Sequence, residues 1–417
     1  MSTDSKLFTS HPMTAWIVCL SAGLFFFYEF FQLNIFDVIN QSLRQDFQID
    51  AAQLSWLSSA YLWADILFLL PAGLLLDRFS TKKIIVSAMI ICILGTFGFA
   101  LTHSFYLAFF YHFLSGIGNA FCFLSCVVLV SRWFVQKRQA LVIGIIVTMA
   151  FLGGMVAHTP FAYLANTLGW RRALMIDGVL GLVLLMWIGR VVQDAPTPSR
   201  RTTATSSGHF WQAWSNRQTW LAGIYTSCLN LPIMVLCALW GASYLQIVHH
   251  LSSLTASNVI SMILFGSIIG CPLVGGLSDF HGQRKPIMII GAVCTLLTLF
   301  PLFFSANLSV AQLNVLFFSL GLFTSTQVIS YPFIAESNPS ARVGSATGLA
   351  SLLIMGGAGV GQVLFGYLMT YHAKHEHLYT ISDFQFAMWI FPITAVLALL
   401  AICLTKESYC KRTLKEF

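Results

Sequence analysis

Twelve long apolar runs, separated by short polar turns, constrain this chain more than any other feature of its sequence. Each run is about 20–28 residues long, the length that a helix needs to cross the hydrocarbon core of a bilayer. The chain is 57% hydrophobic and only 9% charged, whereas soluble domains contain about 25% charged residues. Because lipid offers no partner to free backbone groups, runs of this length predict an all-α membrane protein.

The runs fall into two groups of six on either side of a polar segment. The predicted helices cover residues 14–38, 51–76, 83–102, 105–131, 139–165 and 171–193, and then 218–247, 254–278, 285–306, 310–337, 343–371 and 383–405. We therefore predict two pseudo-symmetric six-helix bundles, residues 1–193 and 218–417, joined by a flexible linker over 194–217 that is rich in Pro, Ser and Thr. Aromatic residues near the end of the linker predict a short interfacial helix at Phe210, Trp211 and Trp214.

The distribution of Lys and Arg predicts the orientation. With a cytoplasmic N-terminus, the outward-facing basic residues are Arg44, Arg171, Arg172 and Lys374, and the other 18 of the 22 face the cytoplasm. The positive-inside rule therefore places both termini in the cytoplasm, as in a protein of a bacterial-type inner membrane. The first run is too long for a cleaved signal peptide and is interpreted as a retained helix. The formal net charge of +7 arises from these turns, which argues against a nucleic-acid partner.

A short motif occurs twice, at Gly73–Lys83 and at Gly275–Lys285. Each copy reads Gly, three residues, Asp, and then a basic turn. Asp77 and Asp279 are 202 positions apart, close to half of the 417 residues. An internal repeat of this size predicts two related helical bundles.

Each copy of the motif stands where a predicted helix leaves the membrane. A glycine one turn before the Asp allows a neighbouring helix to come close. The Asp can meet the positive N-terminal end of a helix, while the basic residues can pair with the Asp or with the negative C-terminal end of another helix. We therefore predict a cytoplasmic gate made of Gly73, Asp77, Arg78, Lys82, Gly275, Asp279 and Arg284. The alternative is a basic turn anchored to lipid headgroups, and two copies at equivalent places favour the gate.

These two Gly-x-x-x-Asp turns, after the second and eighth helices, resemble the signature loop of the major facilitator superfamily. Ser131–Phe134 also resembles the cytoplasmic end of the fourth helix in many members, and Gly169–Arg172 resembles their turn before the sixth. Ser80 replaces the second glycine of the first loop, and His112 stands where many proton-coupled members carry an arginine. The resemblance implies a secondary transporter that works by alternating access, in which two bundles rock around a central site lined by the first, fourth, seventh and tenth helices.

Ionisable residues inside the predicted helices need a functional or structural reason. A carboxylate at mid-membrane costs about 3 kcal/mol on insertion scales, so the neutral acid is the less costly form. We interpret Glu29, Asp65, His112 and His158 as candidate proton-coupling residues, the alternative for each being a neutral side chain hydrogen-bonded between helices. Asp37 lies nearer a helix end and is expected to be solvated, and Asp177 is expected to have a structural role.

Polar and aromatic side chains on the predicted cavity helices are the substrate candidates. The candidates are Tyr28, Gln32, Asn119, Asn230, Trp240, Tyr244, Gln327 and Tyr331. His112, Ser115, Gly116 and Asn119 form a stripe that either lines a cavity or allows tight helix packing. Trp240 and Tyr244 have a further alternative as part of an outer aromatic belt. Pro232 and Pro332 are predicted bending points.

The predicted helices carry no Lys or Arg at mid-membrane, which disfavours a strongly anionic cargo. We therefore predict a proton-coupled importer of a small polar nutrient, with an amino acid or similar zwitterion favoured. The alternative is a drug or siderophore exporter of the same superfamily, which the missing antiporter signature on the fifth helix disfavours. No nucleophile–base or metal-ligand spacing lies inside the helices, so we expect no enzyme activity, cofactor or metal. We also expect the protein to be a monomer. The three histidines within His372–His377 leave open an outer metal site or acid sensor.

Overall fold

The structure is a computed structural model that describes residues 12–134, 136–194, 215–304, 308–339, 343–373 and 379–411. Within these ranges the chain forms twelve helices and no strand. Eleven of these helices are long and apolar enough to cross a membrane. The prediction of an all-α membrane protein is therefore confirmed.

Six helices precede the predicted linker and six follow it. The first six are α1 (Pro12–Phe47), α2 (Ala51–Arg78), α3 (Thr81–Leu101), α4 (Phe105–Trp133), α5 (Gln136–Leu168) and α6 (Trp170–Val191). The last six are α7 (Arg217–Val248), α8 (Ser253–His281), α9 (Lys285–Phe304), α10 (Val310–Glu336), α11 (Val343–His372) and α12 (Ile381–Cys403). The predicted boundaries agree to within a few residues, except that α1 continues to Phe47. The predicted interfacial helix at Phe210–Trp214 lies outside the described residues.

The chain divides into two compact units. Unit 1 comprises Met1–Ser42 and Ala60–Arg201, and unit 2 comprises Leu43–Ser59 and Thr202–Phe417. The tip of the α1–α2 hairpin thus belongs to unit 2. There the backbone N–H of Ala51 donates to the hydroxyl of Tyr379 at 2.7 Å, and the Arg44 guanidinium lies 4.2 Å from the centre of the Tyr379 ring. The hairpin tip is therefore bonded to the segment between α11 and α12.

Short turns between consecutive helices are set by local chemistry. The Ser80 hydroxyl caps α3 by accepting from the N–H of Lys83 at 3.2 Å, so this serine ends the turn where a glycine is absent. Gly282 ends α8 in the left-handed region at φ 65°, where a residue without Cβ is favoured. These turns place each signature loop directly between two antiparallel helices of its own unit.

Helices α7 and α10 are not regular along their length. In α7 the backbone changes to a π-helix at Ile233–Trp240, directly after Pro232. In α10 a 3₁₀ segment, Ser325–Ile329, precedes the turn that contains Pro332. Proline removes a backbone donor from the helix ladder, and such irregular stretches are frequent at functional sites. Both predicted bending points thus lie beside an irregular stretch, and a bend at either proline stays a prediction.

Candidate functional site

Glu29 of α1 lies in the core of unit 1 with no exposed surface. The hydroxyl of Tyr61 on α2 donates to its Oε2 at 2.6 Å and lies 3.1 Å from its backbone oxygen. Gly118 of α4 leaves space for this side chain, because a Cβ at that position would overlap the carboxyl of Glu29. No basic side chain in the described part of the chain pairs with this carboxyl. Glu29 therefore sits in a tight pocket that offers it a hydroxyl donor and no counter-charge.

Asp65 of α2 is buried in the same unit, at 3% exposure. The side chain of Asn119 on α4 is a neighbour of its carboxyl. Electrostatic interaction also links it to Glu29. The structure thus brings together two predicted proton-coupling residues and one predicted substrate residue.

Tyr28 and Gln32 of α1, predicted as substrate residues, both contact α6. The Gln32 amide donates to Oδ2 of Asp177, and the Tyr28 hydroxyl lies 3.4 Å from the backbone oxygen of Asp177. Tyr28 is fully buried, and Gln32 is 2% exposed. Sequence reasoning assigned Asp177 a structural role and missed this pairing, because no sequence pattern gives the rotation of α6 about its axis.

The structure corrects the expectation that Asp37 is solvated. Asp37 is only 1% exposed, and its Oδ2 lies 3.7 Å from Nδ1 of the buried His158 on α5. The reason is geometric: α1 extends to Phe47, so Asp37 lies well inside the helix and faces the core of unit 1. The pair joins His158, a predicted proton-coupling residue, to Asp37, which was not predicted to take part in proton coupling.

The stripe on α4 combines packing with polar contact. His112 is 5% exposed and stacks on Phe36 with 4.0 Å between ring centres. The Ser115 hydroxyl lies 3.3 Å from the backbone oxygens of Cys92 and Tyr111. A Cβ at Gly116 would lie 2.6 Å from Cα of Tyr61 on α2. The stripe thus gives close helix packing at Ser115 and Gly116, while Asn119 contacts Asp65.

In unit 2, the predicted substrate residues Asn230 and Gln327 bond to each other. The Gln327 amide of α10 donates to Oδ1 of Asn230 on α7 at 2.8 Å. Asn230 precedes the π-helix, and Gln327 lies within the 3₁₀ segment. The two irregular backbones therefore carry a paired set of neutral amides.

Gln362 of α11 is a residue that the substrate candidates omitted. It is fully buried, and its amide donates to the backbone oxygen of Met234, inside the π-helix, at 2.8 Å. An amide directly after a glycine, Gly361, on an apolar helix was visible in the sequence, but its partner was not. Gln362 therefore bonds α11 to the π-helix of α7.

The other predicted substrate residues in unit 2 are Trp240, Tyr244 and Tyr331. The alternative interpretation of Trp240 and Tyr244 as an outer belt is wrong, because they are 0% and 1% exposed. Trp240 Nε1–H donates to the hydroxyl of Ser55 at 3.2 Å, and the Tyr244 hydroxyl donates to the backbone oxygen of Leu302 at 3.1 Å. Tyr331 is half-buried and packs against a cluster that includes Phe333.

The signature loop of unit 2 forms a charged cluster around Arg284. Its guanidinium pairs with Asp279 at 2.6 Å and with Glu336, at the end of α10, at 2.8 Å. The predicted pairing of the basic turn with the Asp is confirmed in this copy, and Glu336 is a partner that the sequence did not reveal. The cluster ties the α8–α9 loop to α10.

An acidic residue beyond the last helix of each unit caps the helix that follows the loop. In unit 1, Asp194 accepts from the Ser80 hydroxyl and, at 3.3 Å, from the N–H of Lys82. In unit 2, Glu407 accepts from the N–H groups of Arg284 and Lys285 at 3.0 and 2.8 Å. Carboxylates at helix N-termini satisfy free donors and favour the helix dipole. Both signature loops are thus fastened by the same chemistry.

Close helix approach at the loop glycines is not found within either unit. A Cβ on Gly73 would make only an ordinary contact with Leu124 at 3.9 Å, and a Cβ on Gly275 would meet nothing within 4 Å. That expectation is wrong, because both positions face away from close-packed neighbours of their own unit. The side chain of Asp77 lies outside the described residues, and Arg78 is exposed at the end of α2.

In the described part of the chain, no group of three His, Cys, Asp or Glu side chains is arranged to hold a metal ion. His372 of the outer histidine segment lies 2.6 Å from Asp383 through its Nδ1. His375 and His377 lie outside the described residues.

Comparison with known proteins gives matches along nearly the whole chain. The family model described as Major Facilitator Superfamily matches residues 18–279 and 240–415. A protein of Cupriavidus necator described as a probable sulfoacetate transporter, SauU, is 23% identical over 90% of this chain and 91% of that protein. Monocarboxylate transporter 13 of Rattus norvegicus is 26% identical over 85% of this chain and 82% of that protein. A probable galactarate/D-glucarate transporter, GarP, of Escherichia coli (strain K12) is 21% identical over 80% and 83%.

Solved structures of similar fold are also transporters. A bacterial homologue of the human lysosomal transporter Spinster, in an inward-facing and unoccupied conformation, has a TM-score of 0.78 at 16% identity and covers 94% of this chain and 97% of that chain. The nucleoside transporter NupG has a TM-score of 0.74 at 15% identity and covers 93% and 100%. At these identities the likeness shows the fold alone. Together with the family match and the duplicated loop, it leads to one conclusion: this chain is a multi-pass membrane transporter that belongs to the Major Facilitator Superfamily.

Proposed function

We propose that this transporter imports a small polar nutrient together with protons, by alternating access, with amino acids and monocarboxylic acids as the first cargo classes to test. The observation that carries the proposal is the environment of Glu29. This carboxyl is fully buried and bonded by the Tyr61 hydroxyl, and no basic partner of it lies among the described residues.

A buried acid of this kind is suited to carry a proton. An ionised carboxylate without a counter-charge is costly in a dry, apolar setting. The Tyr61 hydroxyl offers one donor to the ionised form, so loss of the proton is costly without being prohibitive. We propose that Glu29 takes up a proton on one side of the membrane and releases it on the other, with Asp65 close enough to feel that change.

The charge of the buried residues limits the cargo. Among the described residues, the one buried Lys or Arg is Arg284, which lies in the α8–α9 loop and is already paired. The polar side chains that link α7 and α10 are uncharged, and they include the amides of Asn230 and Gln327 and the hydroxyls of Tyr225, Thr226 and Thr326. Amides can bond one carboxylate, but multiply charged anions usually need a cation. The proposed cargo therefore carries at most one net negative charge.

The names of the relatives support an organic-acid component of the cargo. One relative is described as a monocarboxylate transporter. The sulfoacetate and galactarate/D-glucarate named for two other relatives are also organic acids, but each carries two negative charges and exceeds the charge limit of the proposed cargo. A monocarboxylate or an amino acid satisfies both this tendency and the charge limit. The distribution of Lys and Arg supports an inner-membrane location with both termini in the cytoplasm, and we propose that the protein acts as a monomer.

The test is substrate-induced proton entry into proteoliposomes that contain a pH-sensitive dye. Pools of amino acids, lactate with pyruvate, neutral sugars and dicarboxylates are added in turn to the wild-type protein, to Glu29→Gln and to the exposed-site control Asp46→Asn. We expect acidification with the amino-acid or monocarboxylate pool, its reduction in Glu29→Gln and its retention in the control. If none of the pools causes proton entry, and a preloaded drug is expelled against its gradient, the import proposal is refuted and the exporter alternative is favoured.

A further inference from the structure

Asp177 on α6 is a second buried acid that the proposed mechanism has not used. It is 3% exposed, although α6 as a whole shows many apolar side chains on the surface of unit 1. It therefore belongs to the inward face of the helix. Burying a carboxyl there is costly, and a functional reason is the default expectation for an acid inside a membrane helix.

The groups around Asp177 are polar or weakly acidic, and none is basic. The Gln32 amide donates to Oδ2, and Oδ1 is buried without a hydrogen-bond partner in the described part of the chain. The titratable groups that interact with it electrostatically are Tyr28 and Glu29 on α1 and Cys92 on α3. An ionised Asp177 thus lacks a counter-charge among the described residues, and Oδ1 is the oxygen on which we place the hydrogen of the protonated form.

Asp177 is also linked to Glu29 through α1. Gln32 follows Glu29 by three positions, so the two side chains are neighbours on the helix surface. Tyr28 precedes Glu29 directly, and its hydroxyl lies 3.4 Å from the backbone oxygen of Asp177. A change of charge at one acid is therefore felt at the other.

We propose that Asp177 is a second proton-carrying residue of the transport cycle, coupled to Glu29 through Tyr28 and Gln32. This inference rests on the proposed function and adds the stoichiometry: each cycle moves two protons with each substrate instead of one. Each proton is bound as an O–H on a carboxyl oxygen and released intact, so no other bond is made or broken. The competing role is structural, in which a neutral Asp177 only holds α6 against α1.

The steady-state accumulation of substrate distinguishes the two roles. With the membrane potential clamped at zero and a gradient of one pH unit, each coupled proton contributes about a tenfold accumulation. Radiolabelled amino acids, or lactate and pyruvate, are added outside the proteoliposomes. The steady-state ratio of internal to external substrate concentration is then measured for the wild type, Asp177→Asn and Asp46→Asn. We expect about a tenfold lower ratio in Asp177→Asn, with substrate exchange at equal pH retained, and an unchanged ratio in Asp46→Asn.

An unchanged ratio in Asp177→Asn would overturn the inference and leave Asp177 as a structural bonding group, while the proposed function would stand. Failure of the wild type to accumulate either mixture would instead refute the proposed function. If Asp177→Asn is unfolded by size-exclusion chromatography and melting temperature, Gln32→Leu is measured in its place, because it keeps the acid and removes its amide donor. A wild-type ratio in Gln32→Leu at every pH would then count against proton transfer at Asp177.

Discussion

Replacement of Arg284 tests the interpretation that the α8–α9 loop is fastened to α10 by a buried ion pair. The Arg284 side chain is 8% exposed and Glu336 is 14% exposed, whereas Asp279 is 70% exposed. Two guanidinium nitrogens, Nη2 and Nε, approach Oε1 of Glu336 at 2.8 and 3.2 Å. The same arginine thus makes one largely buried pair and one largely solvated pair, and the two are expected to differ in energy.

The magnitudes follow from that difference in burial. Removing one partner of a buried pair costs about 3–5 kcal/mol, whereas exposed pairs contribute about 0.2–1 kcal/mol. The Ser408 hydroxyl also donates to Glu336 at 2.6 Å, and we expect this bond to remain when the arginine is replaced. We therefore expect Arg284→Gln to lower the free energy of unfolding by about 2–3 kcal/mol and Asp279→Asn to lower it by less than about 1 kcal/mol.

The assay is reversible unfolding in mixed detergent micelles, followed by tryptophan fluorescence. Arg138→Gln is the matched control, because Arg138 is an exposed arginine of α5. The reasoning is refuted if Asp279→Asn is as destabilising as Arg284→Gln, or if Arg284→Gln is no worse than Arg138→Gln.

Two further predictions concern helix packing and the C-terminal cap. Gly116→Ala places a Cβ 2.6 Å from Cα of Tyr61, so we expect it to lower the free energy of unfolding by about 1–3 kcal/mol. The control Gly144→Ala places a Cβ with nothing within 4 Å, and we expect it to have little effect in the same assay. Burial opposes the charge of Glu407, but four backbone N–H donors outweigh it and hold its pKa below the ordinary value of 4.5. The contribution of this cap is therefore present above about pH 4.5 and is lost as the pH falls through the lowered pKa. Amide hydrogen exchange at residues 284–285, corrected for its intrinsic pH dependence, should become faster as the cap is lost at low pH. In Glu407→Gln these amides should exchange rapidly at every pH. Protection equal to that of the wild type in Glu407→Gln would contradict the cap.

The helices and the duplicated loop were predictable because their signals are local. Apolar length gives a membrane helix, and polar turns give its ends. The depth of Glu29 within α1 was equally visible, since it depends only on distance along one helix. The repeat of the Gly-x-x-x-Asp turn required comparison of two segments and no three-dimensional information.

The partners across helices were not predictable from one sequence. Gln32 and Asp177 are 145 positions apart, and Glu29 and Tyr61 are 32 apart, so each pairing depends on how two helices rotate about their axes. Asp37 shows the same limit: its position near a predicted helix end suggested solvent, but the longer α1 places it in the core of unit 1. Local patterns give helix ends and depth, whereas rotation is set by packing of the whole unit.

The most direct test of proton coupling is the ratio of proton to substrate flux in proteoliposomes, measured with the wild type and Glu29→Gln side by side. A wild-type ratio of one or more, with a lower ratio but preserved substrate exchange in Glu29→Gln, is the expected result. Equal proton flux in the two proteins would contradict the assignment of Glu29 as the proton carrier.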